Sequence, residues 1–111
     1  MDDININFHV YCTRPGWAIS NPNPKYTDVR YRIYVDDDLI TERTWVWGND
    51  IYLHENFYVR FDTAVNHRLR LEPVVYNENQ ASFEVRNTHS DGRGFAVIER
   101  YSMTDLLFKI N

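Results

Sequence analysis

Asp28-Val29-Arg30-Tyr31-Arg32-Ile33-Tyr34-Val35-Asp36-Asp37-Asp38-Leu39-Ile40-Thr41-Glu42-Arg43-Thr44-Trp45-Val46-Trp47 decides the fold. Side chains of a strand point alternately to opposite faces. Val29, Tyr31, Ile33 and Val35 therefore make an apolar row, and Asp28, Arg30, Arg32 and Tyr34 make a polar one. Two such segments, Val29–Val35 and Leu39–Trp47, are joined only by Asp36-Asp37-Asp38. They read as a β-hairpin with one dry face and one wet face. A three-residue loop pairs Val35 with Leu39, Arg32 with Glu42 and Val29 with Trp45. A two-residue loop sets Arg43 against Arg32 or Arg30, and like charges directly opposed destabilise. The three-residue loop is favoured, with Asp38 in the left-handed region.

The pattern recurs outward from the hairpin. Ile4, Ile6, Phe8 and Val10 alternate with polar or aromatic neighbours, giving a first strand over residues 4–12. Arg14-Pro15-Gly16-Trp17 and Asn21-Pro22-Asn23-Pro24 mark a long, irregular loop, and loops of that length are usually functional or at least packed as a unit. Ile51 to Phe61 is one long bent strand or two strands broken near His54-Glu55-Asn56, the polar break favouring two. Asp62 to Asn66 is a short connection, with room for one helical turn. His67 to Tyr76 is a strand with Leu69, Leu71 and Val75 inward, and Pro73 marks an edge or a bulge in it. Asn77 to Gln80 is a turn before a strand led by Ala81, Phe83 and Val85. Ser90 to Gly94 reads as a flexible loop, and Phe95 to Ile98 as a short last strand. In the tail, Leu106, Phe108 and Ile110 alternate, which favours a strand over a helical turn capped by Ser102 or Thr104.

Seven to eight strands in 111 residues fit one all-β domain over residues 1–111. The expected form is an antiparallel β-sandwich of jelly-roll or Ig-like type, with a closed barrel as the alternative. Aromatic residues make up 15% and hydrophobic residues 43% of the chain, enough to build a core. Cys12 stands alone, so it forms no internal disulfide and reads as a small core residue. The net charge of −4 argues against nucleic acid as a partner. No run of 18 apolar residues and no secretory leader is visible, so neither a membrane span nor export is expected. The expected site of synthesis is a cytoplasm.

The chemistry-bearing residues form no recognised constellation. His9, His54, His67 and His89 lie on separate strands without metal-ligand spacing. Asp36-Asp37-Asp38 offers too few oxygens for calcium and reads as turn chemistry. Glu42, Glu55, Glu72 and Glu84 read as strand residues facing water. No nucleophile elbow and no phosphate loop is present. The expectation is a protein without catalytic residues, metal or other cofactor.

Aromatic side chains are the remaining signal. Trp17 lies in the Pro-rich loop, while Trp45 and Trp47 share a strand face, with Trp45 opposite Val29 in the core. Arg outnumbers Lys ten to two, and Arg beside aromatics suits protein interfaces. The apolar tail must dock on its own core or on a neighbouring subunit. The candidate contact surface is therefore Trp17, Tyr26 and Trp47 together with Leu106, Leu107 and Phe108.

Two stretches, Pro15-Gly16-Trp17-Ala18-Ile19-Ser20-Asn21-Pro22-Asn23-Pro24-Lys25-Tyr26 and Tyr31 to Arg43, resemble small virion-associated β-proteins of marine tailed bacteriophages. The resemblance spans about residues 6–88. It implies a virion structural or decoration protein, made in the host cytoplasm, that binds a capsid or tail protein as a homo-oligomer or lattice-bound copy. Tyr34 to Thr44 is also similar in layout to small carbohydrate-binding β-sandwiches, which makes a glycan the alternative ligand.

Overall fold

A computed structural model describes residues 2–13, 28–46, 52–74 and 82–111. The strands are β1 (Asp2–Thr13), β2 (Asp28–Val35), β3 (Asp38–Val46), β4 (Tyr52–Phe61), β5 (Asn66–Val74), β6 (Ser82–His89), β7 (Phe95–Ser102) and β8 (Asp105–Ile110). They form two antiparallel sheets, a three-stranded one ordered β4-β1-β6 and a five-stranded one ordered β3-β2-β5-β8-β7. The all-β expectation holds, in a sandwich-like pair of sheets.

One core joins the sheets. Ile4, Ile6, Phe8, Val10 and Cys12 of β1, with Phe61, Phe83 and Val85, come from the smaller sheet. Tyr31, Ile33, Val35, Leu69, Leu71, Leu106, Phe108 and Ile110 come from the larger. On β1, β2 and β5 these are the residues that the two-residue period placed inward. Ring contacts lock the middle: Phe61 meets Phe108 edge-on at 6.0 Å, and Phe95 stacks on Phe108 at 4.8 Å.

The hairpin keeps its expected pairings, Arg32 with Glu42 and Val29 with Trp45, but reaches them by a different turn. Val35 pairs with Asp38, so the loop is the two residues Asp36 and Asp37, both with positive φ (51° and 68°). The register then shifts between Ile33 and Tyr34, leaving Ile40 as an extra residue on β3. A two-residue turn plus a bulge gives the same downstream register as a three-residue loop. The like-charge clash is thus avoided, and Arg32 Nε lies 2.7 Å from Glu42 Oε1. Asp36 is further anchored to β5, where its Oδ1 accepts the Arg68 amide at 2.9 Å.

Four other elements differ from expectation. β4 is one continuous strand, because all ten of its residues pair with β1 and the polar centre costs no ladder bond. The connection after Asp62 is a turn with Ala64 at φ 65°, its amide bonded to the Ile110 carbonyl at 2.7 Å. β7 runs on to Ser102 because β8 pairs along it, with register shifts at Val97/Glu99 and Arg100/Ser102. The 90–94 connection is held in place: Ser90 bridges Arg93, and the Asp91 amide donates to Asn5 Oδ1. The tail is the expected strand. Pro73 lies past the end of β5–β8 pairing, which covers Asn66 to Arg70, so its missing N–H costs nothing there. Val75 lies outside the described residues.

Candidate functional site

Strand pairing assembles a polar and aromatic face on the outside of the smaller sheet. On the side of β1 away from the core lie Asn5 and Asn7, both buried, and the half-buried His9 and Tyr11, and β4 sets Tyr58, Asn56, His54 and Tyr52 against them in order. On the other side β6 sets His89 opposite Asn7, Arg86 opposite His9 and Glu84 opposite Tyr11. Three histidines that looked unrelated in sequence thus share one patch. The His9 and His54 rings are 5.3 Å apart, and those of His54 and His89 6.5 Å.

The patch is ordered by amides. Asn7 donates to Asn5, and Asn5 donates to Asn56 at 2.6 Å. His54 Nε2 donates to Asn7 Oδ1 at 2.9 Å. Between Asn7 and His9 the β1–β6 register slips by one residue, and Asn87, at φ 57°, takes the left-handed conformation there. Asn87 serves two histidines: its amide donates to His9 Nδ1 at 2.9 Å and its carbonyl accepts from His89 Nδ1 at 2.8 Å. His9 also stacks on Tyr52 at 4.2 Å, and Arg86 lies over the Tyr11 ring at 4.6 Å. Burial and the two neighbouring imidazoles hold His9 below its ordinary pKa.

A second surface is the edge of the larger sheet. Five strands face three, so the sheets do not cover each other fully. β7 is the outermost strand, and Val97, Ile98 and Tyr101, with Met103 of the following turn, are 45–61% exposed. On the outer side Arg68 grips Asp105 with two bonds, 2.9 and 2.6 Å, and stands 5.7 Å from the Tyr101 ring. Arg68 holds the Asp105 carboxyl below its ordinary range.

The candidate contact residues are placed unevenly. Trp17, Tyr26 and Trp47 lie outside the described residues, as do the Trp45 and Val29 side chains. Leu106 and Phe108 are at 0% exposure in the core. Alternation along β8 turns both to the core side, opposite to Leu107, so they are core residues here. Leu107, in the opposite phase, is half-buried.

One further expectation changes, and one histidine proves to be buried. Glu55 does not face water: at 1% exposure it lies inward on β4, held by Arg43 and by the Tyr31 hydroxyl at 2.8 Å. Its phase already matched Leu53 and Phe57 in the sequence, and that was the available signal. The Tyr31 hydroxyl is pushed well above its ordinary pKa, first by burial and then by the Glu55 charge. His67 is buried between Asp36 Oδ2 (2.5 Å) and the Asp62 carbonyl (2.6 Å). Among the described residues no group of three or more His, Cys, Asp or Glu is placed to hold a metal ion, and no helix is long and apolar enough to cross a membrane.

Compared with protein-family models, curated proteins and solved structures, the chain matches none.

Proposed function

We propose that this chain is a non-enzymatic bacteriophage structural protein that decorates or stabilises the capsid, or another virion part, through protein–protein contacts. On this reading it is made in the host cytoplasm and resides in the virion, as a homo-oligomer or as copies spread over a lattice. The scaffold belongs in the broad class of jelly-roll or Ig-like sandwiches, with its own strand order. The observation that carries the reading is that Val97, Ile98, Tyr101 and Met103 are exposed on the edge strand β7 and the turn after it. Edge strands present unpaired backbone groups, and buried aromatic anchors supply most of the affinity at protein interfaces. Repetition on a particle makes a modest single contact sufficient.

The test is a mass-spectrometric inventory of purified particles. Stoichiometric copies that fall in an Ile98→Asp/Tyr101→Ala variant of unchanged melting temperature support the reading. Complete absence from particles sinks it. Removing residues 104–111 is not a usable test, because it takes out β8 from between β5 and β7.

A glycan-binding module is the second reading, favoured by the Tyr11, Tyr52 and His9 rings beside Arg86. Stacked rings show the solvent more edge than face, which suits hydrogen bonding to hydroxyls better than flat stacking on a sugar. Binding on a glycan array that Tyr52→Ala abolishes would select this reading.

A further inference from the structure

We propose that the outer face of β4-β1-β6 is a proton-operated switch, in which uptake of protons by His9, His54 and His89 loosens the hold of β1 on its two neighbours. The geometry supplies the parts. The three rings lie within one patch, with neighbouring centroids at 5.3 and 6.5 Å. Each sits on a different strand, so repulsion among imidazolium charges acts across both ladders of the sheet.

The hydrogen bonds assign a state to each ring. His54 and His89 each donate one N–H to an oxygen, which leaves the other nitrogen to take up a proton. His9 differs: its Nδ1 accepts from the Asn87 amide, so a proton there turns an acceptor into a donor facing a donor. Asn87 must then turn its amide, and it sits at the left-handed bulge where β6 already departs from regular pairing. The bulge is the element poised to move. Burial and the two other imidazoles hold His9 below its ordinary value of 6.5, as this arrangement requires.

The neighbouring groups do not cancel the charge. On β6, Glu84 is committed to Arg86 at 2.6 Å, so that pair offers His9 no net charge. β1 contributes Asn5, Asn7 and Tyr11, and β4 contributes Tyr52, Asn56 and Tyr58, none of which carries a carboxylate. Asp91 reaches the patch through its main-chain amide, bonded to Asn5.

The test is histidine-resolved NMR titration of the full chain, with amide-exchange protection of β4 and β6 compared above and below the titration. Expected is an upward shift of the His9 midpoint in His54→Gln and in His89→Gln. Protection along β4 and β6 falls on acidification in the wild type and holds in the triple Gln variant. A His9 midpoint unmoved by both single substitutions overturns the proposal, and so does equal loss of protection in the wild type and the triple variant. Should the triple variant not fold, the single-variant titrations decide.

Discussion

Arg43 of β3 holds both carboxylate oxygens of Glu55 of β4, each at 2.7 Å, and so ties an edge strand of one sheet to an edge strand of the other. The Tyr31 hydroxyl completes the set from β2. Glu55 is buried and Arg43 is half-exposed, so the cost of breaking the pair depends on which partner goes. Arg43→Ala strands a buried charge and is expected to destabilise by about 3 kcal/mol. Tyr31→Phe removes one bond to a charged group and costs about 1.5 kcal/mol. Urea unfolding of both variants and of the double mutant checks this, and strict additivity of the two would contradict a shared site.

The turn residues Asp36 and Asp37 both occupy the left-handed region, yet they answer differently to glycine. Asp37 points to solvent with only a 3.8 Å approach to Arg70, and an exposed pair of that kind is worth little. Asp37→Gly is expected to stabilise by about 0.5 kcal/mol, since it gives the Asp-Gly turn. Asp36→Gly removes the acceptor of His67 and of the Arg68 amide and is expected to destabilise by about 1–2 kcal/mol. Opposite shifts in melting temperature are the observation sought.

Acid acts through two groups in two windows. His9 has a lowered folded-state value, so above about 6.5 it is neutral in both states and costs nothing. As pH falls below that, the unfolded chain takes the proton first and stability drops, until folded His9 also titrates. Asp105 is a carboxylate held low by Arg68, so its contribution is present above about 3.9 and is lost as pH falls through its folded value. Stability measured against pH should therefore fall in both windows, with His9→Gln flattening the upper one and Arg68→Leu the lower.

β8 separates core from surface residue by residue. Phe108→Ala opens a cavity among Phe61, His67 and Phe95 and is expected to cost about 3–5 kcal/mol. Leu107→Ala, in the outward phase, is expected to cost less than half as much. Near-equal losses in chemical denaturation would contradict the assigned phase of the strand.

The strands were legible because alternation and charge are local. Opposed Arg32 and Glu42 disclosed the hairpin register, and Leu106, Phe108 and Ile110 disclosed β8. The turn was not legible, since a three-residue loop and a two-residue turn with Ile40 bulged give the same pairing downstream. The histidine patch was hidden for another reason. Its members come from strands whose adjacency is set by sheet order, and nothing local to His9, His54 or His89 encodes that β1 lies between β4 and β6. Glu55 was readable in principle, because it falls in phase with Leu53 and Phe57, but polarity weighed more than phase.

The position of β1 also sets a schedule for assembly. It is the first described strand to leave the ribosome, yet both of its partners are encoded later, β4 ending at Phe61 and β6 at His89. Until then Ile4, Ile6, Phe8 and Val10 have no sheet to join, and such distant pairings are slow to close. The smaller sheet should therefore close late, only after residue 89 has been made.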